Sequence, residues 1–202
     1  MKISDYPKFE SALSQGRPII FLCGAGLSVS LGDHAKGWVG WLKEGKAYLS
    51  DVEAEELDRR FGSYSASELI DAASFLIEAL RKNGNYTAYM DSTIGSLTVQ
   101  NKKLTNALAL FVRCGDYFAT TNYDKLLEEV TGLGYYTYNM PGKIVQMLSG
   151  QGEMSVIHLH GIYDAATNTD DIVADQKQYE DVIANQGAQF IQNLISTCTL
   201  VI

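Results

Sequence analysis

The stretch PIIFLCGAGLSVS, residues 18–30, decides how the rest of the chain is interpreted. Its apolar run Ile19–Cys23 is rich in β-branched and aromatic residues and is typical of a buried strand. Two glycines, Gly24 and Gly26, follow at once, and glycine allows a tight turn and a close approach to a negatively charged group. Val29 stands where the dinucleotide pattern G-x-G-x-x-G has its third glycine. Alone, the stretch fits a nucleotide-binding turn and an ordinary strand and turn equally well.

Composition limits the class of protein. The chain has 202 residues, of which 46% are hydrophobic, which suits one large domain or a domain with a subdomain. Its net charge of −8 and its lack of a Lys/Arg run predict no direct binding to nucleic acid or to an anionic membrane. The three cysteines, Cys23, Cys114 and Cys198, form no C-x-x-C pair, so we expect neither zinc nor a disulfide framework, and a reducing cytoplasm fits them.

The two ends of the chain carry different signals. The N-terminal residues have no apolar core and do not form a signal peptide. Residues Thr197–Ile202 are typical of the start of a buried strand, and natural domains rarely end inside one. We therefore expect residues 1–202 to form one domain that is truncated at its C-terminus and belongs to a longer protein.

Strand patterns alternate with helix patterns, which predicts a parallel sheet covered on both faces. The expected fold is α/β, a Rossmann-like three-layer parallel sheet with a helical insertion, at about residues 51–113, between the first two strands. The predicted strands are Ile19–Cys23, Asp116–Thr120, Tyr135–Tyr138, Ser155–Leu159 and Cys198–Ile202, with a short extended piece at Ile172–Ala174. The predicted helices lie within Ile3–Gln15, from Trp38, and at Asp51–Arg60, Ser65–Leu80, Tyr86–Ile94, Lys103–Val112, Asp124–Val130, Pro141–Leu148, Gln176–Ala184 and Ala188–Ser196.

Three polar clusters follow strands of this sheet. They are Gly24–Ser28 after the first strand, Thr120–Asp124 after the second, and His160-Gly161 after the fourth. Ligands of such sheets bind at the carboxyl ends of the strands. The three clusters are therefore expected in one cleft.

Thr120–Asp124 places an amide, Asn122, two residues before a carboxylate, Asp124. Either residue singly also fits a helix N-cap, where Asn and Asp are common. In a cleft, an Asn side chain could hold a ribose hydroxyl or position a water molecule. An Asp side chain could accept a hydrogen bond from an amide.

His158 and His160 lie two apart on a predicted strand, so they face the same side. Together with His34 they could form a three-histidine zinc site. The pattern favours a second interpretation, in which His158 packs inside the sheet. His160, at the strand end before a glycine, is then placed to act as a base with a pKa near neutrality.

Taken in order, the three clusters resemble the sirtuin-like NAD-consuming domains. That family carries Gly-Ala-Gly-x-Ser, then Thr-Gln-Asn-x-Asp, then x-x-His-Gly, and this chain has GAGLS at 24–28, TTNYD at 120–124 and HLHG at 158–161. It departs from protein-deacetylating sirtuins in three ways: it lacks the cysteine pairs of their zinc ribbon, GDHAKGW at 32–38 replaces their Ile-Pro-Asp-Phe-Arg-like segment, and Thr121 replaces Gln. These features look like the bacterial branch found in anti-phage defence proteins.

The resemblance implies hydrolysis of NAD to nicotinamide and ADP-ribose, with NAD as substrate and no other cofactor. It also implies a cytoplasmic homo-oligomer and a C-terminal sensor or partner region outside this chain. An NAD-dependent protein deacylase and a non-catalytic NAD or ADP-ribose sensor are the alternatives. The residues that it implicates are Asn122 and His160 in catalysis, Gly24, Ala25, Gly26 and Ser28 on the pyrophosphate side, Thr121 elsewhere in the NAD site, and Asp124 near the nicotinamide carboxamide.

Overall fold

The computed structural model describes residues 7–14, 19–113, 115–184, 189, 193 and 199–201. Strands and helices alternate along this part of the chain. The strands are β1 Ile19–Cys23, β2 Tyr117–Thr120, β3 Gly134–Thr137, β4 Ser155–His158, β5 Tyr163–Asp164, β6 Thr169–Asp170 and β7 Thr199–Val201. The helices are α1 Pro7–Ser14, α2 Ala25–Leu31, α3 Trp38–Glu44, α4 Asp51–Arg60, α5 Ala66–Lys82, α6 Tyr86–Met90, α7 Lys102–Arg113, α8 Leu126–Thr131, α9 Pro141–Leu148 and α10 Gln176–Ala184.

The main sheet is parallel and confirms the predicted fold class. Its strand order is β3-β4-β2-β1-β7. One face packs on α9, where Ile144 and Met147 meet β-strand residues such as Ile157. The other face packs on α2, α7 and α8, where Leu31 and Leu126 meet Phe118 and its neighbours. The strands β1, β2 and β4 are therefore buried on both faces, which explains why each is an apolar run, as is usual for parallel sheets.

The strand register places the carboxyl ends of the central strands at one level. Cys23 of β1 lies opposite Thr120 of β2, and Thr120 lies opposite His158 of β4. His158 also lies opposite Thr137 of β3. The residues that follow these strands consequently leave the sheet side by side.

The predicted insertion between β1 and β2, at about residues 51–113, contains α4 to α7, of which α7 packs on the sheet. Its other helices share one apolar core with α3. Its core is centred on one face of α5, and each fully buried leucine or isoleucine there contributes about 1.5–3 kcal/mol relative to exposure. Both Ser50 and Ser65 form capping boxes, with Glu53 and Glu68, and so begin α4 and α5. The buried face of α5 comprises Ala72, Ala73, Leu76, Ile77, Ala79 and Leu80.

The insertion packs on the carboxyl edge of the sheet. Its apolar cluster includes Tyr123, which follows β2, and Ile172 and Ala174 from the segment before α10. The Tyr123 hydroxyl donates to the carbonyl oxygen of Val173 at 2.7 Å. The helical insertion and the strand ends therefore enclose a cavity between them.

The tight turn after β1 has no positive φ, because α2 begins at Ala25 directly after Gly24, which is extended at φ −118°. Three local predictions need correction. The predicted start of a helix at Asp124 is wrong by two residues, since the Asp124 carboxylate accepts from the backbone N–H of Leu126, where α8 begins.

The other two corrections concern the C-terminal half. The prediction missed the antiparallel pair of β5 and β6. The piece at residues 172–174 is not a strand, although Val173 donates its N–H to the carbonyl oxygen of His160 at 2.8 Å. The predicted helix Ala188–Ser196 and two of the three cysteines, Cys114 and Cys198, lie outside the described residues, apart from positions 189 and 193 of that helix.

Candidate active site

A cavity of about 360 Å³ lies between the carboxyl edge of the sheet and the helical insertion. Its sheet side is polar and its insertion side is mostly apolar and aromatic. This combination of an apolar wall with a few placed polar groups is usual for small-molecule sites. The lining residues on the sheet side are Ala25, Ser28, Thr121, Asn122, Tyr123, Asp124 and His160, while α3 and the insertion contribute Trp38, Trp41, Leu69, Ile70 and Thr93 among others.

The structure brings together most of the site residues that the sequence singled out. Six of the eight line the cavity, from all three strand ends. The other two, Gly24 and Gly26, border it at the start of α2. A side chain at Gly26 would meet no atom within 4 Å, so its surroundings are open.

Asn122 is fixed by its main chain and by its side chain. Its backbone N–H donates to Thr120 Oγ1 at 3.0 Å, and its side-chain Nδ2 donates to Gly24 O at 2.9 Å and to Ser28 Oγ at 2.7 Å. Because a carbonyl oxygen only accepts, the bond to Gly24 identifies the nitrogen of the amide. Among the described residues no donor reaches Asn122 Oδ1, so this oxygen can accept a hydrogen bond from a ligand or water.

Asp124 and Ser28 form the buried support of this amide. Ser28 Oγ donates to Asp124 Oδ2 at 2.7 Å while it accepts from Asn122, and Asp124 Oδ1 accepts from the N–H of Leu126. Burial raises the pKa of the Asp124 carboxyl, against the opposing hydrogen bonds from Ser28 and Leu126. The Ser28 hydroxyl and both carboxylate oxygens thus have partners within the protein.

His160 lies just beyond β4, on the polar sheet side of the cavity. Its ring meets the ring of Tyr179 from α10 edge-on, with 5.4 Å between the ring centroids. Among the described residues no hydrogen bond to the imidazole is formed. Burial lowers the pKa of His160 below the usual 6.5 of histidine. The imidazole is therefore neutral at neutral pH and able to accept a proton.

Gly161 sets the position of His160. Its φ is +75°, and a Cβ at this position would collide with the carbonyl oxygen of Asp171. Next to it, Ile162 N–H donates to Asp171 Oδ1 at 2.7 Å. The close approach of residues 160–162 to 171–173 therefore requires glycine here.

Substitution Gly161→Ala is expected to lower the free energy of unfolding by more than about 1–2 kcal/mol, the cost of the left-handed conformation alone, because the clash adds to it. Chemical denaturation measures the loss. The matched control is Gly142→Ala on α9, where an added Cβ meets nothing within 4 Å and stability should stay the same or rise slightly. Equal stability of the two variants would contradict this assignment for Gly161.

One comparison with known proteins gives a match. Residues 116–202 match the family of the SIR2-like domain. The match includes Asn122, Asp124 and His160, and the Gly24–Ser28 stretch precedes it. No curated protein matches the chain.

The match to the SIR2-like domain indicates NAD-related activity. The match also concerns the cavity, because polar residues of the matched region line it. Among the described helices, none has both the length and the apolar character needed to cross a membrane.

His158 is buried, as the favoured interpretation of the sequence has it. Its side chain is fully buried, and its two ring nitrogens contact Asn122 O and Glu128 Oε1. His34, by contrast, has a side chain that is 88% exposed. Over the part of the chain that the structure describes, no three His, Cys, Asp or Glu side chains are grouped to hold a metal. The three histidines are thus not brought together.

Sequence reasoning missed the aromatic wall of the cavity. The rings of Trp38 and Trp41 stack with centroids 5.1 Å apart, and Trp41 Nε1 donates to Thr93 Oγ1 at 3.1 Å. Their spacing of three residues in a short helix was the one available signal. Tyr179 could not be found in this way, because its position depends on how α10 packs against the strand ends.

Glu128 was missed as well. It is 7% exposed and accepts from His158 Nε2 at 2.8 Å. In the sequence it is one of two adjacent glutamates, and its neighbour Glu129 is exposed. Composition gives no means of choosing between them.

Proposed function

We propose that this chain is an NAD glycohydrolase, which cleaves the bond between nicotinamide and ribose to give nicotinamide and ADP-ribose. One observation carries the proposal. The anchored amide of Asn122 and the neutral imidazole of His160 line the same cavity in a SIR2-like domain. An amide acceptor and a proton acceptor are the two groups that this hydrolysis needs near the ribose.

The bond that breaks joins the nicotinamide nitrogen to C1′ of the ribose, and its electron pair leaves with nicotinamide. The ribose then resembles an oxocarbenium ion, and water attacks C1′. Asn122 Oδ1 accepts a hydrogen bond from that water or from a ribose hydroxyl. His160 takes the proton that the water loses, so the products are nicotinamide, ADP-ribose and one proton.

The remaining site residues have supporting roles in the proposal. Gly24, Ala25 and Gly26 are proposed to take the pyrophosphate side, where Gly26 has open surroundings, and Thr121 lines the same cavity as Ala25. Ser28 and Asp124 hold the Asn122 amide through the hydrogen bonds given above, and Asp124 is proposed to face the nicotinamide carboxamide. No zinc is required by these steps.

The biological setting is part of the same proposal. The departures from protein-deacetylating sirtuins favour an effector domain of a cytoplasmic anti-phage defence protein, which removes NAD when infection is sensed. We propose that the domain works as a homo-oligomer joined to a sensor or partner region. Three dispersed cysteines and the acidic net charge of −8 agree with a cytoplasmic domain that binds neither nucleic acid nor membrane directly.

The test is an assay of nicotinamide release by the full chain, with and without an acetylated lysine peptide. Hydrolysis predicts equal release in both samples. Release only with the peptide would instead make the chain a deacylase. Binding of NAD or ADP-ribose by calorimetry without any release, in the full-length protein under activating conditions too, would make it a sensor.

The pH dependence follows from the lowered pKa of His160. A general base must be unprotonated, so kcat/KM should fall only below pH 6.5, with the acid limb displaced downward from the usual histidine value. Initial rates of nicotinamide release between pH 4.5 and 8.5 (approximate limits, chosen around the usual pKa of histidine) measure it. An acid limb centred above pH 6.5 would contradict the role given to His160.

A further inference from the structure

A buried histidine and glutamate lie directly behind Asn122, outside the cavity. His158 Nδ1 is 3.0 Å from the backbone carbonyl oxygen of Asn122, and His158 Nε2 is 2.8 Å from Glu128 Oε1. The side chains of His158 and Glu128 are 0% and 7% exposed. Neither residue lines the cavity. The steps proposed for hydrolysis give them no part.

The contacts limit where the ring carries its protons. A carbonyl oxygen can only accept, so Nδ1 must carry a hydrogen to bond to Asn122. Nε2 and Glu128 Oε1 lie 2.8 Å apart and share a proton, and the proposal places this proton on the ring, as an imidazolium paired with Glu128. Although burial alone would lower it, the hydrogen bond and charge of Glu128 raise the pKa of His158, which agrees with this arrangement.

Other groups around the ring are consistent with a fixed cation. Asp124, after β2, adds a further favourable negative charge. Tyr135 of β3 meets the ring edge-on at 6.1 Å between centroids. Glu128 Oε2 is buried without a hydrogen-bond partner among the described residues, so the carboxylate is committed to His158 through its other oxygen.

We propose that Glu128 and His158 are positioning residues for Asn122. Glu128 orients the imidazolium, and the imidazolium holds the Asn122 carbonyl. With Thr120 on its N–H and with Gly24 and Ser28 on its side chain, Asn122 is then restrained at every polar group except Oδ1. This inference rests on the proposed function, because it assigns the pair the task of aiming Oδ1 at the reacting ribose or water.

Two matched variants separate the two hydrogen bonds of the ring. A glutamine at 158 can reach Glu128 as Nε2 does, but it loses the bond to Asn122 O. An asparagine can reach Asn122 O as Nδ1 does, but it loses Glu128, so it is combined with Glu128→Gln to avoid an unpaired buried charge. His158→Gln should lower kcat for nicotinamide release about 10- to 100-fold with little change in KM. The double variant His158→Asn/Glu128→Gln should lose less kcat than His158→Gln, about 3- to 10-fold, since the bond to Asn122 is kept while the support that Glu128 gives is lost.

Equal losses of kcat in the two variants, or full activity of His158→Gln, would overturn the proposal. Circular dichroism and thermal unfolding of both variants check that each is folded. ¹⁵N NMR of the wild-type ring gives a test without substitution: both ring nitrogens should be protonated at neutral pH, and an unprotonated Nδ1 would overturn it.

The test also separates this inference from the proposed function. If the wild-type chain releases no nicotinamide under any condition, the hydrolase proposal fails by itself. The side-chain NH₂ signals of Asn122 then decide the positioning role. They should shift in His158→Gln and stay unchanged in the double variant; the reverse pattern would overturn the role.

Discussion

His160→Ala is expected to lower the rate of NAD cleavage about 10²- to 10⁴-fold, the usual effect of removing a positioned general base. The loss should appear in kcat, because the imidazole takes a proton only as water attacks. Binding of NAD should change little, since no hydrogen bond to the ring is formed within the described part of the chain. Steady-state kinetics of nicotinamide release, with calorimetric titration of NAD into the variant, measure both quantities.

The matched control is His34→Asn. His34 has a φ of +61°, a conformation that asparagine tolerates, and its side chain is 88% exposed outside the cavity. The control should keep full activity. A loss of less than about tenfold in His160→Ala would remove the general-base role, whose usual effect is larger.

Glu128→Ala is expected to lower the free energy of unfolding by about 3–5 kcal/mol, because it leaves the buried His158 without its carboxylate. The effect depends on pH. The pKa of folded His158 is raised above 6.5, so the ion pair contributes fully below that pH and its contribution is lost as pH rises through the folded pKa. The destabilisation should thus be largest near pH 6 (about half a unit below the usual histidine pKa) and smaller in alkaline buffer.

The adjacent Glu129→Ala serves as its control. Glu129 lies in the same helix but is exposed, so its loss should change stability by less than about 0.5 kcal/mol. Urea denaturation of both variants at two pH values measures the difference. Similar stabilities for the two variants, or a Glu128→Ala effect that grows with pH, would show that the buried ion pair does not stabilise the fold in this way.

Local patterns were sufficient to predict the sheet. Ile19–Cys23 is apolar throughout and bounded by glycine, and Ser65 with Glu68 marks the start of α5 through hydrogen bonds three residues apart. Such signals depend on neighbours in the sequence. The rule that strands of a parallel sheet end at one edge then sufficed to expect Asn122 and His160 around one cleft.

The missed features depend on contacts between distant residues. Ser28 and Asp124 are 96 positions apart, and His158 and Glu128 are 30 apart. A sequence pattern shows that such residues are polar, but not which of them are buried against each other. The same holds for Tyr179, which reaches His160 only because α10 packs across the strand ends. The start of α8 shifted because the Asp124 side chain bonds to the backbone two residues later, in competition with an earlier helical turn.

The most direct measurement quantifies nicotinamide and ADP-ribose together, in one reaction of the full-length protein with NAD, under activating conditions and without any acylated peptide. The account predicts both products in equal amounts, formed about 10²- to 10⁴-fold more slowly by His160→Ala and also more slowly by Asn122→Ala. Products that appear only when an acylated peptide is added, or equal rates in the wild type and both variants, would contradict it.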